Sequence, residues 1–149
     1  MPDVMLEKYD DADFHYGTEV FSRKDLPAEN GATHMGFYLT WVLMKGMESA
    51  ELRANAGEAV EKVRAREMTG RELLMEYSDQ KLLPVDLNDE ANRFTRSYYR
   101  KYLTDYSALF GKAADRYEVE NSWVNYDRIA AVIEKRWAAH QSKPWWKVW

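Results

Sequence analysis

Residues 88–110 read NDEANRFTRSYYRKYLTDYSALF, and this stretch decides the fold. Ala91, Phe94, Tyr98, Tyr102, Leu103 and Tyr106 recur at spacings of three and four, the mark of one helical face turned toward a core. Asn88 or Asp86 stands where a side-chain oxygen caps a first turn, and Gly111 follows as a stop. Arg93, Arg96, Arg100 and Lys101 lie among these positions, with Glu90 and Asp105 supplying opposite charge. The pattern predicts a long helix with an aromatic packing face beside solvated ion pairs.

Helical spacing recurs on both sides of this stretch. Thr33 is placed to cap a helix over residues 34–44, whose side chains are apolar on more than one face. Phe37, Trp41 and Met44 form one stripe and Met35, Tyr38, Leu39 and Val42 its neighbour, which predicts a buried central helix; a short buried strand is the competing assignment. Ser49 caps a second helix through about Arg66, with Leu52, Ala56, Ala59, Val60 and Val63 as its seam and Gly57 as a local cost. Thr69 and Glu72 have capping-box spacing ahead of Leu73, Leu74 and Tyr77. Pro84 makes residues 78–85 a connector. Tyr117-Glu118-Val119-Glu120 reads as a brief extended link before a last helix with Tyr126, Ile129, Ala130, Ile133 and Trp137 on one face.

The first 32 residues mix acidic residues, glycine and proline, which favours turns over a regular helix. The expectation is one all-α domain over residues 1–149, an irregular bundle of five or six helices. Residues 1–32 form a docked irregular arm, and an aromatic tail follows Pro144.

A chain of 149 residues with 46% hydrophobic and 31% charged side chains has the balance of a single globular domain. Cysteine is absent, which excludes disulfides, thiolate catalysis and cysteine-held metals. The formal charge of −4 and the lack of a long basic run argue against nucleic acid as a partner, although helices can gather cations distant in sequence. No stretch has the length and apolarity of a membrane span, and residues 1–3 lead quickly into polar sequence unlike a signal peptide, so a cytoplasmic protein is expected.

Catalytic patterns are sparse. His15, His34 and His140 form no metal-ligand spacing, the serines lack a nucleophile-elbow context, and no glycine-rich phosphate loop occurs. Asp10, Asp11 and Asp13 lack the glycine and distal glutamate of a calcium loop. No metal and no cofactor are expected. Convergence of His15 and His34 with Asp13 and Glu29 is what a small hydrolase would require; a hydrogen-bonded structural role for His34 is the simpler alternative.

Aromatic residues make up 14% of the chain, and acidic surfaces with aromatic anchors suit recognition of a basic protein. The acidic contacts expected on that basis are Asp10, Asp11, Asp13, Glu29, Glu118 and Glu120. The anchors are Tyr16, Tyr117, Trp145, Trp146 and Trp149. The alternative for all of them is a solvated rim around an intramolecular core, and for the three tryptophans docking onto their own domain.

Several motifs together resemble a poorly characterised bacterial family of small domains of unknown function. They are Tyr9-Asp10-Asp11-Ala12, His15-Tyr16-Gly17, Asp25-Leu26-Pro27 and Gly31-Ala32-Thr33-His34-Met35-Gly36. Asn92-Arg93-Phe94, Tyr98-Tyr99, Tyr102, Asp105-Tyr106 and residues 121–126, NSWVNY, extend the resemblance over most of residues 9–137. It carries no catalytic residues, and residues 144–149 lie beyond it. In size and acidity such proteins are similar to immunity proteins, which bind and occlude a cognate toxin. The resemblance therefore implies a non-enzymatic binding protein; a structural or self-associating accessory protein is the alternative.

Overall fold

The computed structural model describes residues 8–12, 27–111 and 117–142. Among them are five α-helices: α1 (Thr33–Met44), α2 (Ala50–Arg64), α3 (Gly70–Tyr77), α4 (Asp89–Phe110) and α5 (Trp123–Ser142). They form the all-α bundle that the apolar spacings predict. The aromatic tail, residues 144–149, lies outside the described residues.

α1 is the axis of the bundle, with every residue from Thr33 to Leu43 buried. A helix apolar all round needs walls on all sides, and α2, α3, α4 and α5 supply them. On one side Tyr38 stands edge-on to Tyr99 and Tyr102, at ring distances of 5.2 and 4.9 Å. On another, Trp41 meets Phe94 and Trp137 at 5.5 and 5.6 Å. These offset and edge-on contacts are the arrangements that ring quadrupoles favour.

The competing strand assignment for residues 34–44 fails, but so does Thr33 as a cap. A 3-10 turn, Ala28–Ala32, runs straight into α1, so the helix starts without a side-chain cap. The Thr33 hydroxyl instead accepts from Arg71 Nη1 at 3.0 Å. The other local signals hold. Ser49 Oγ accepts from Leu52 N at 3.0 Å, Thr69 and Glu72 form a reciprocal capping box, and Asn88 Oδ1 accepts from Ala91 N at 2.9 Å. Gly111, with φ of 112°, takes the left-handed conformation that ends α4. α2 is broken near its middle, where Ala56 leaves helical geometry beside Gly57.

α1 and α3 approach so closely that their backbones touch. A Cβ added at Gly36 would lie 2.5 Å from the Arg71 nitrogen, and one at Gly70 would run into the Thr40 hydroxyl and the Gly36 carbonyl. Only glycine fits at this crossing.

The connector at residues 78–85 holds more order than a proline-interrupted link implies. Lys81–Leu82 forms β2, which pairs antiparallel with β1, Asp10–Asp11, in the register Asp10↔Leu82 and Asp11↔Lys81. A further 3-10 turn covers Pro84–Asp86. The described part of the amino-terminal arm therefore holds a short strand stitched to the bundle and the 3-10 turn that leads into α1.

Candidate protein-binding face

Two groups of polar side chains bear on function, one inside the bundle and one on its surface. Inside, β1 delivers Asp10 to the first turn of α1. His34, 1% exposed, places Nε2 2.8 Å from Asp10 Oδ2, and the Tyr99 hydroxyl donates to the same oxygen at 2.7 Å. The Tyr102 hydroxyl donates to the His34 carbonyl at 2.6 Å, and the Tyr106 ring stands edge-on to the imidazole at 5.9 Å. Burial, reinforced by the Asp10 charge, pushes the Tyr99 hydroxyl well above its ordinary range. A carboxylate, an imidazole and phenols packed this way fix strand to helix, because Asp10, His34, Tyr99 and Tyr102 satisfy one another's polar atoms inside the bundle. His34 thus takes a hydrogen-bonded place in the core. Of the other groups a hydrolytic site would gather, Glu29 is exposed on the 3-10 turn, while His15 and Asp13 lie outside the described residues.

Two further carboxylates, Glu48 and Asp105, hold ion pairs that also serve the fold. The Glu48 carboxylate, fully buried, accepts from Arg64 Nη2 at 2.5 Å and Arg53 Nη2 at 2.9 Å. Burial works to raise its pKa, but the two guanidinium groups hold it below the usual range. Asp105 accepts from both Arg136 Nε and Nη2 at 2.9 Å and from the Tyr98 hydroxyl at 2.8 Å. Its pKa is lowered in the same way against the pull of burial.

On the surface, Glu29, Arg71, Glu72, Met75 and Glu76 line an open groove of about 450 Å³ between the first 3-10 turn and α3. Glu72 is held by the capping box, while Arg71 reaches Glu29 at 3.9 Å. The link before α5 is tied to the same region at both ends: Asn30 Nδ2 donates to the Tyr117 carbonyl at 2.6 Å, and Asn121 Nδ2 to Thr69 Oγ1 at 3.3 Å. Those ties hold one end of the link against the 3-10 turn and the other against the start of α3, with Glu118 and Glu120 exposed between them. Glu29, Glu72 and Glu76 give the groove an acidic lining beside Met75, and this groove with the neighbouring link is the acidic face of the domain. A smaller recess between α1, α3 and the start of α5, about 10 Å³, has room for about one water and is lined by Thr40, Thr69, Asn121 and Ser122 among others.

The contacts expected from sequence divide three ways. Glu29, Glu118 and Glu120 are exposed, Glu29 in the lining of the groove and the other two on the link beside it. Asp10, Asp11 and Tyr117 are turned inward: Asp10 is held by His34 and Tyr99, Asp11 pairs with Lys8 at 2.6 Å, and Tyr117 is 4% exposed. Asp13, Tyr16, Trp145, Trp146 and Trp149 lie outside the described residues. Glu72 and Glu76 were not anticipated as contacts, because a capping box and a short helix explain their positions without reference to a surface.

Among the described residues no group of three or more His, Asp or Glu side chains is placed to hold a metal ion, and no helix is long and apolar enough to cross a membrane. No curated protein and no solved structure matches the chain. A family model does, over residues 8–119, a span that takes in β1 through α4 and stops short of residues 121–126. The chain belongs to this family, described as a domain of unknown function, DUF7832.

Proposed function

We propose that this domain works by binding a protein partner through the acidic face. The observation that carries the reading is the open groove lined by Glu29, Glu72, Glu76 and Met75, with exposed Glu118 and Glu120 on the link that Asn30 and Asn121 tie beside it. Carboxylates at a rim steer and orient a basic partner, and a flexible thioether adapts to what enters between them. A basic toxin occluded by an immunity-like protein is the finer form of the reading; it rests on the resemblance in size and acidity.

The test is affinity capture, followed by titration of the purified partner with Glu76→Lys and Glu118→Lys variants. Each substitution is expected to weaken the complex about tenfold or more, since a like charge placed against a basic partner repels it. Unchanged affinity for both folded variants overturns the assignment of the face.

A further inference from the structure

The outer face of α4 carries three arginines on one ridge. Arg93, Arg96 and Arg100 are all exposed and follow spacings of three and four, a run of about 10 Å at the helical rise. Arginine elsewhere in the described residues is partnered. Arg53 and Arg64 pair with Glu48, Arg66 with Asp127, Arg71 with Glu29 and Arg136 with Asp105, while Arg128 lies over the Phe110 ring. Arg93, Arg96 and Arg100 have no ion pair or hydrogen bond from their side chains among the described residues.

Three guanidinium groups on one exposed ridge of an acidic protein form a local surface of opposite sign, and the fork of each is shaped to receive a carboxylate. The same molecule displays carboxylates in excess: Glu76 and Glu120 on the acidic face have no ion pair among the described residues. We propose that the α4 ridge docks on the acidic face of a second copy of this chain, the convex helix meeting the groove beside α3. This names the partner of the face assigned above and so rests on that reading. Asp89 and Glu90, in the first turn of α4, close one end of the ridge with negative charge. They bound the positive strip on that side, which keeps it short for following a phosphate backbone.

Exposed ion pairs are individually weak and screened by salt, so the contact depends on several acting together. Sedimentation velocity across a concentration series at low salt is expected to show association of the wild-type chain. Monomer should return at about 1 M salt, where the screening length is about 3 Å. The triple variant Arg93→Glu, Arg96→Glu, Arg100→Glu and the triple variant Glu29→Lys, Glu76→Lys, Glu120→Lys are each expected to stay monomeric. Circular dichroism checks their fold. An equimolar mixture of the two should associate again, because every ridge then meets a face of opposite sign. A wild-type chain that stays monomeric throughout overturns the proposal, as does association that survives high salt or a mixture that fails to form. A short oligoarginine peptide, titrated in parallel and followed at the Met75 methyl resonance, separates the two levels. Peptide binding to a monomeric wild type keeps the acidic face and removes the second copy as its occupant; no binding and no association removes both. Wild type that binds a single-stranded oligonucleotide through the ridge, with no self-association, also overturns the proposal.

Discussion

Gly36 and Gly70 let α1 and α3 meet backbone to backbone, and a single methyl group at either position has nowhere to go. Gly70→Ala is expected to cost about 1–3 kcal/mol through overpacking, seen as a lower urea midpoint with unchanged slope. An unchanged midpoint would mean that the two helices can separate without loss. Tyr99→Phe keeps the ring but removes the hydroxyl that donates to Asp10. The expected loss is about 1–2 kcal/mol in the same measurement, since a buried carboxylate is left with one partner fewer. Neither contact is legible in sequence. Gly36 sits inside an apolar helical pattern with no sign of Gly70 as its neighbour, and Asp10 reads as one member of an acidic run. Pairings between residues so far apart depend on how the helices cross, which local spacing does not encode.

α3 is only eight residues long, Gly70–Tyr77, too short to persist alone in water. Its stability comes from the capping box at its start and from Leu73 and Leu74 buried against the bundle. Thr69→Ala is expected to destabilise the protein by about 1 kcal/mol and to raise amide exchange at the start of α3. Undisturbed exchange there would place the stability in packing alone. This box was readable because its parts lie three residues apart, as were the Ser49 and Asn88 caps. Thr33 misled because a cap is defined by the turn before it, and the 3-10 helix at residues 28–32 had no periodic signature. The two-residue strands were hidden for the opposite reason: pairing of Asp10 with Leu82 is set by the bundle that brings them together.

Across the whole molecule the ionic pairs make stability depend on acid. Burial acts to raise Glu48, Asp105 and Glu134, yet arginine and lysine partners hold all three below their ordinary values. A carboxyl that holds its proton more weakly when folded stabilises the fold above its unfolded pKa, and that stability drains away as pH falls through the depressed value. Asp86 acts in the other direction, raised by burial against the pull of Ser78, so its contribution improves as pH falls. With three groups against one, the thermal midpoint is expected to fall as pH drops below about 4.5, the ordinary value for glutamate. Glu48→Gln should flatten that fall; an identical acid profile would remove Glu48 from the account. At this scale the sequence was informative about net charge and helical class, and it singled out three carboxylates, Glu29, Glu118 and Glu120, that the structure leaves exposed. Their grouping with Glu72 and Glu76 was not legible, because it depends on Asn30 and Asn121 folding the link before α5 back onto the start of α3.

The joint at Asp10 also sets an order in time. Contacts within the helices close short loops, whereas Asp10 must find Leu82, His34 and Tyr99 across long stretches of chain, at greater entropic cost. Helix contacts such as Trp41 with Trp137 do not run through β1, so the strand that seals the imidazole and phenols can open while the bundle stays assembled. Weakening the latch should then speed its opening far more than it slows collapse of the bundle, which makes the amino-terminal strand the kinetic guard of a core it does not build.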